Sequence, residues 1–368
     1  MIGLGLHSSG RTLKFGLGLF CFLTFLFSTD GIAQEKNEYT IRTIAFYNLE
    51  NLFDTEDDPL TYDEDRTPGG KDVWTIDKYQ DKLQKMAKVI SEIGCETAGN
   101  PPAIIGLCEL ENLKVLEDLV DQPALKNLNY GIIHFDSPDR RGVDVALLYR
   151  KSQFSPTSRQ SRRLMLFEPL ELSKRIFTRD QLVVSGNFEG ESMHFIVNHW
   201  PSRSGGEAKS SPRREKASWL NKQIIDSLFA LDPYSKIITM GDFNDDPKNK
   251  SLKKVLNTKG KKEETELQEL YNPMEALLKK GIGTLAYRDG WNLFDQIILS
   301  KPFLDADQGY KFFKAGIFNK KYLTTQEGQF KGYPFRSYDY GGYTGGFSDH
   351  FPVYVHLIKK FQPNPNQN

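Results

Sequence analysis

Short apolar runs rich in β-branched residues recur at positions 41–47, 103–110, 143–149, 182–188, 194–198, 237–240, 294–299 and 352–357. Their length and composition predict buried strands. Between them the period changes. Ile76, Tyr79, Leu83, Met86, Ile90 and Ile93 step by threes and fours behind Thr75, which predicts an amphipathic helix with that threonine as its N-cap. A second helix is expected to start at Ser211-Pro212 and bury Ala217, Leu220, Ile224 and Leu228. A shorter one follows Asn112, over Leu113 to Val120. Helices interspersed among strands, with no Pro-rich or Gly-Ser linker, predict a single α/β domain over residues 34–360. Residues 156–180 are polar and Arg-rich without a period, which predicts a surface excursion. "KKEETELQEL" near 261 reads as a solvated helix face, and residues 361–368 as a disordered tail.

Of the 368 residues, 39% are hydrophobic and 26% charged, a composition with ample core. The first 33 residues stand apart: Arg11 and Lys14 precede an apolar run from Phe15 to Phe27, and Gly31-x-Ala33 offers small residues for cleavage. This is a secretory signal pattern, so export to a periplasmic or extracellular location is expected. The run is short for a membrane span, and bulky Phe20 before Cys21 argues against lipid attachment. Without these residues the chain carries 46 basic and 47 acidic side chains, a net of about −1, which excludes a dedicated DNA-coating protein. Cys95 and Cys108 are expected to be buried thiols, with a disulfide as the alternative in an exported chain.

Polar residues punctuate nearly every predicted strand. They are Asn48 and Glu50 in "FYNLENLFD", Glu109 in "CELEN", Asn198 and His199 in "NHWPSR", Asp242 and Asn244 in "GDFNDDP", Asp295 in "FDQIIL", and Asp349 and His350 in "SDH". Loops at one edge of a sheet assemble ligand sites, so these residues are expected to converge. "SDH" precedes its strand and joins them only if strand 352–357 runs antiparallel to its neighbours, in a mixed sheet. Four carboxylates, Glu50, Glu109, Asp242 and Asp349, with amides and no Cys/His cluster, suit Mg²⁺, Mn²⁺ or Ca²⁺ and match zinc poorly. With two histidines added, the set suits metal-assisted displacement at phosphorus. Asp295, inside an apolar strand, needs a partner, and His350 is the candidate. His134, His194 and His356 read as structural, and Asp144 as an orienter of His199.

In this order, "NLE", the Glu closing an early strand, the His after a middle strand, "GDFN", the Asp of a late strand and the terminal "SDH" resemble the motif series of the endonuclease/exonuclease/phosphatase superfamily. The resemblance runs from about residue 41 to 357 and is to its deoxyribonuclease- and exonuclease III-like members. It implies a four-layer α/β sandwich, two mixed β-sheets packed face to face with helices outside. It also implies a metal held by Glu109 with Asn48, Glu50 and Asp349 beside it. Asp242 would hold the attacking water, Asn244 would position water and phosphate, Asp295 would pair with His350, and His199 would contact phosphate or leaving group.

Arg141 and Arg203, with Arg140 and Arg213, are expected to offer a local phosphate-binding patch, and Trp200, Tyr287 and Trp291 either to stack on bases or to serve equally as packing or as apolar contacts to a lipid. Nucleic acid, bound weakly and salt-dependently by a monomer, is the expected partner. The superfamily's inositol-polyphosphate phosphatases carry Arg where this chain has Gln296, which counts against a phosphoinositide. A sphingomyelinase- or phosphoinositide-type enzyme is the alternative, and it calls for an exposed apolar hairpin, which does not stand out in the sequence. An alternative of another class is a non-catalytic binding protein on the same scaffold.

Overall fold

The computed structural model describes residues 38–305 and 309–360; the expected signal segment 1–33 and tail 361–368 lie outside them. The strands of the two large sheets, in chain order, are β1 (Tyr39–Leu52), β2 (Ile104–Leu110), β3 (Tyr130–His134), β4 (Asp144–Arg150), β5 (Phe154–Arg162), β6 (Gln181–Phe188), β7 (Glu191–His199), β8 (Lys236–Asp242), β9 (Thr258–Lys259), β10 (Leu270–Tyr271), β11 (Asp295–Ser300), β12 (Lys311–Ile317) and β13 (Val353–Lys360). One sheet has the order β12-β13-β1-β2-β4-β3 and the other β9-β10-β11-β8-β7-β6-β5. Both are mixed: β1 runs parallel to β2 and antiparallel to β13, and β8 runs parallel to β7 and antiparallel to β11.

The inner faces meet in one apolar layer. Ile44, Phe46, Cys108, Val145 and Val355 from the first sheet pack with Phe195, Val197, Ile238, Met240 and Ile297 from the second. Helices α1 (Ile76–Glu92) and α2 (Leu113–Val120) cover the outside of the first sheet, and α3 (Glu207–Leu231) the outside of the second. This is the expected four-layer sandwich. Gly106 on β2 marks how closely the sheets approach, since a Cβ there would stand 2.9 Å from Met240 Sδ and 3.1 Å from the Phe46 ring. Gly106→Ala should therefore destabilise the protein by about 1–3 kcal/mol through overpacking, measurable by urea unfolding.

Several local expectations are corrected. Asn112 caps α2, its side chain accepting from Val115 N at 3.0 Å, but Thr75 caps α1 without a side-chain bond, and Ile76 is exposed. Helix α3 begins at Glu207, so Pro212 lies inside it, and Leu220 and Leu228 are only half-buried. The stretch near 261 forms a short 3₁₀ turn, Lys262–Glu264, in place of a solvated helix. Residues 156–180 are more than a surface excursion: they supply edge strand β5, buried Leu164 and Leu166, and buried Arg179 and Asp180. Between β5 and β6 a small hairpin, Leu166–Glu168 with Glu171–Ile176, exposes Leu170 and Leu172 fully or nearly so. Among the described residues both cysteines are free, Cys108 buried and Cys95 half-buried.

Candidate active site

The ends of β1, β2, β7, β8 and β11 and the turn before β13 meet at one edge of the sandwich. Two of these strands reach it through β-bulges. The β1–β2 register slips between Asn48 and Leu52, and the β2–β4 register between Cys108 and Leu110. Glu50 (φ 49°) and Glu109 (φ 58°) both sit in left-handed backbone at these slips, as does Asn244 (φ 50°) just beyond β8. Such conformations cost non-glycine residues about 1–3 kcal/mol each and persist only where surrounding contacts hold them. Here each re-aims a polar side chain out of the strand alternation and toward its neighbours.

Asp242 lies at the centre. Its Oδ2 accepts from Asn48 Nδ2 at 3.2 Å, and its Oδ1 from the Asn244 backbone N–H at 2.9 Å. His199 Nε2 stands 3.7 Å from Glu109 Oε1 and 3.8 Å from Asp242 Oδ2, in electrostatic reach of both but beyond hydrogen-bond length. On the other side, His350 Nδ1 donates to Asp295 Oδ2 at 2.6 Å. Glu109, His199 and Asp242 can offer ligand atoms to one point, and so can Asp242, Asp295 and His350. Asn48, Glu50, Glu109, His199, Asp242, Asn244, Asp295, Asp349 and His350 are thus all brought together.

The electrostatics follow from crowding acids in a buried place. Burial, reinforced by Asp295 and Glu109 and partly offset by His350, pushes the Asp242 carboxyl up to about 7. Glu50 is pushed up to about 7 by burial and by Asp349, against the pull of Lys82 and Arg336. Asp349 is raised too, by burial and Glu109, with His350 opposing. Burial disfavours the His350 cation, but Asp295, with Asp349 and Asp242, outweighs it and holds the imidazole well above its usual range. His199 goes the other way: burial, then Arg179 and Arg141, hold it well below, so it is neutral. Its Nδ1 and the Asp295 Oδ1 are buried without a partner. This donor set, hard oxygens with excess negative charge, fits a divalent cation of the Mg²⁺, Mn²⁺ or Ca²⁺ kind.

Some expectations fail around the rim. Each nitrogen of Arg203 donates to protein oxygens: Nε to Asn244 O at 2.9 Å, one terminal nitrogen to Glu207 and the other to Asp245 and Asn249. It braces the loop after β8 and is not free for phosphate. Trp200 is buried against Phe243, with its indole N–H on Asn198, so it cannot stack on a base. Arg213 pairs with Glu168. Asp144 orients His134, at 2.9 Å, and not His199. Trp291, 38% exposed, stacks on Phe351, the neighbour of His350, and Arg141 stands half-exposed above Asp139. Gln296 is consumed internally, donating to Asp245 O at 2.7 Å and accepting from Asn272.

Three residues lie at the site that sequence reasoning missed. Arg179 is buried on the His199 side, donating to Asp139 at 3.0 Å and to Trp200 O at 2.7 Å; its signal was a charged pair, Arg179-Asp180, directly before a buried strand. Arg336 reaches Glu50 at 3.2 Å and Asp349 at 3.3 Å from a loop without any pattern. Lys82 lies on the apolar face of α1, where a lysine has no business unless it finds acceptors.

A model of the endonuclease/exonuclease/phosphatase family matches residues 43–359. No curated protein matches the chain. Among solved structures, a humanized TDP2 from D. rerio is 14% identical with a TM-score of 0.51, over 86% of this chain and 99% of that one. D. rerio TDP2 complexed with a single-strand DNA product gives the same identity and TM-score, covering 86% and 99%. An endonuclease/exonuclease/phosphatase family protein from Bacteroides thetaiotaomicron is 19% identical with a TM-score of 0.51, covering 88% and 100%. At such identities these likenesses speak for the fold, and the family match covers nearly all of the described chain. The chain belongs to the endonuclease/exonuclease/phosphatase family of metal-dependent phosphoric ester hydrolases.

Proposed function

We propose that the protein is an exported, divalent-metal-dependent phosphodiesterase that hydrolyses nucleic acid by in-line attack of water. The observation that carries the reading is the position of Asp242, which touches the acidic group around Glu109 on one side and faces the Asp295–His350 pair on the other. Glu109, Glu50, Asp349 and Asn48 would hold Mg²⁺, or Mn²⁺ or Ca²⁺, which supplies neutralisation of phosphate charge. Asp242, with a pKa of about 7, is poised to accept the proton of a water that Asn48 and Asn244 help to fix around it. The His350 cation, kept charged by Asp295, stabilises the oxygens on which negative charge develops. Neutral His199 turns Nε2 toward Glu109 and Asp242 at 3.7 and 3.8 Å, without a hydrogen bond to either, and that nitrogen would contact the phosphate or leaving group. Export rests on the apolar run 15–27 and the small residues after it.

Substrate class follows from the rim. Arg140 is exposed over the Phe177 ring at 5.2 Å and Arg141 stands half-exposed above Asp139, while Trp291 and Tyr287 keep 38% and 64% of their surface exposed. Cations for backbone phosphates with aromatics for bases suit a single strand. With so few free cations, binding should be weak and fall with salt at a log–log slope of about −2 to −3, measurable by fluorescence anisotropy. A slope near zero with tight binding contradicts this reading.

One observation favours the lipid alternative. The hairpin after β5 exposes Leu170 and Leu172, the feature the sequence did not reveal. Its tip is flanked by Glu168 and Glu171, however, which disfavour approach to an anionic bilayer. The deciding experiment is turnover by purified residues 34–368 on plasmid DNA, RNA, a bis-aryl phosphodiester, phosphoinositide and sphingomyelin, with each divalent ion. Cleavage of DNA or RNA is expected; lipid-only turnover overturns the substrate, and no turnover at all overturns the activity.

A further inference from the structure

We propose that Lys82 is a positioning residue that sets the two metal-side carboxylates, Glu50 and Asp349, in register with each other. The inference rests on the metal-dependent reading above.

Lys82 lies on the core-facing side of α1 with Tyr79, Leu83 and Met86, and it is 0% exposed. A buried ammonium is costly unless its donors are used. All three are: Nζ donates to the Glu50 carbonyl at 2.9 Å, to the Ser337 hydroxyl, and to the Phe347 carbonyl at 3.3 Å. These acceptors belong to chain segments far apart in sequence. The Glu50 carbonyl lies at the bulge where β1 leaves its regular register. Ser337 and Phe347 bracket the loop that ends in Asp349 and His350.

The loop returns the contact. The Ser337 N–H donates to Glu50 Oε2 at 2.5 Å, and the Ser337 hydroxyl to Phe347 O at 2.9 Å. Arg336 then spans Glu50 Oε1 and Asp349 Oδ2 from the solvent side. Arg336 from above thus bridges the two carboxylates, and Lys82 from beneath ties the backbone that carries Glu50 to the loop that carries Asp349.

This clamp accounts for the backbone at the bulge. Glu50 and Asn51 are both left-handed, at φ 49° and 58°, without glycine at either position. Two successive strained residues stay in place only when something fixes the peptide between and around them. Lys82 holds the Glu50 carbonyl in the direction that this conformation dictates. Remove it, and the bulge is free to relax toward ordinary strand, which swings the Glu50 side chain off the site. The same loss removes the anchor that ties Ser337 and Phe347 to the bulge, leaving Ser348 on Asn48 O to hold the loop, so Asp349 loses its register with Glu50. Lys82 touches no substrate or reacting atom; it acts through the residues it holds.

The test compares Lys82→Met, which keeps the stem and removes the donors, with Lys82→Arg and Ser337→Ala. Mg²⁺ and Mn²⁺ affinity is read by isothermal titration, melting temperature by calorimetry, and kcat and KM on bis-aryl phosphodiester at saturating ion. Lys82→Met should weaken ion binding at least tenfold and lower kcat at saturating ion with KM little changed. Lys82→Arg should recover part of both. Ser337→Ala, which leaves no charge unpaired, should weaken ion binding a few-fold in a folded protein. If Lys82→Met lowers the melting temperature but binds ion like wild type, the lysine is merely structural and the proposal falls. If Lys82→Met does not fold, unchanged ion affinity in Ser337→Ala overturns it. Failure of the wild type to bind any divalent ion would instead overturn the proposed function.

Discussion

His350→Ala should lose turnover by a factor of about 10²–10⁴ while keeping its fold and its divalent-ion affinity. The ring is 8% exposed, its Nδ1 is fixed on Asp295 at 2.6 Å, and three carboxylates around it favour the charged form over the cost of burial. The cation is therefore ready, without reorganisation, where phosphate charge grows. Asp295→Asn removes the charge that keeps it so and should reproduce much of the loss. The double variant should be clearly less than additive, because the two residues act as a unit. Folding stability carries the same signature. With the folded value raised, the pairing contribution is complete below the unfolded pKa of about 6.5 and fades as pH rises through the folded value. Fully additive losses in a steady-state assay would separate the two residues and end this assignment.

Chelation should abolish turnover outright, and Glu109→Gln should weaken ion affinity together with turnover. Among the described residues the two cations that reach the Glu50–Asp349 side are already committed: Lys82 is sealed beneath Glu50, and Arg336 bonds Glu50 and Asp349 at the edge. Full activity in excess EDTA would sink the metal-dependent mechanism. The pH dependence of stability is specific enough to check. Glu50 and Asp242 have folded values of about 7, above those of the unfolded chain. Raised carboxyls give stability that is complete below the unfolded pKa of about 4 and lost as pH rises through about 7. The ion-free protein should therefore melt at lower temperature as pH goes from 5 to about 8 on this account. A divalent ion binds the ionised carboxylates, so its stabilisation should be larger at about pH 8 than at about pH 6. An equal thermal shift at both values would show that Glu50 does not hold it.

Much of the site was legible because its residues carry their chemistry in type and place. A carboxylate inside "FDQIIL" or at the end of "KIITM" cannot be ordinary strand filling, and the antiparallel β13 followed from "SDH" preceding its strand. The clamp was not legible for a physical reason. Glu50 and Arg336 are 286 positions apart, and no local period records which loop returns to which bulge. Lys82 did leave a mark, a charge on an apolar helix face, but type alone does not say where its acceptors are. Arg203 and Trp200 misled for the converse reason: they stand beside His199 in sequence, yet the turn after β7 points both inward, to brace Asn244 and Asn198. The hairpin after β5 escaped notice because its apolar run, Leu164 to Phe167, is only four residues long and then gives way to leucines interleaved with glutamates.

The pairing of β13 with β1 has a consequence for how the molecule is made. Ser348 Oγ donates to Asn48 O across 300 positions of chain, and Asp349 and His350 reach the site only through that closure. Helices α1 and α2 pack on β1 and β2, all within the first third of the chain, and can form early from local contacts. Contacts of such long sequence separation form late, because loop closure must precede any reward from them. During refolding, helical circular dichroism should return before hydrolytic competence.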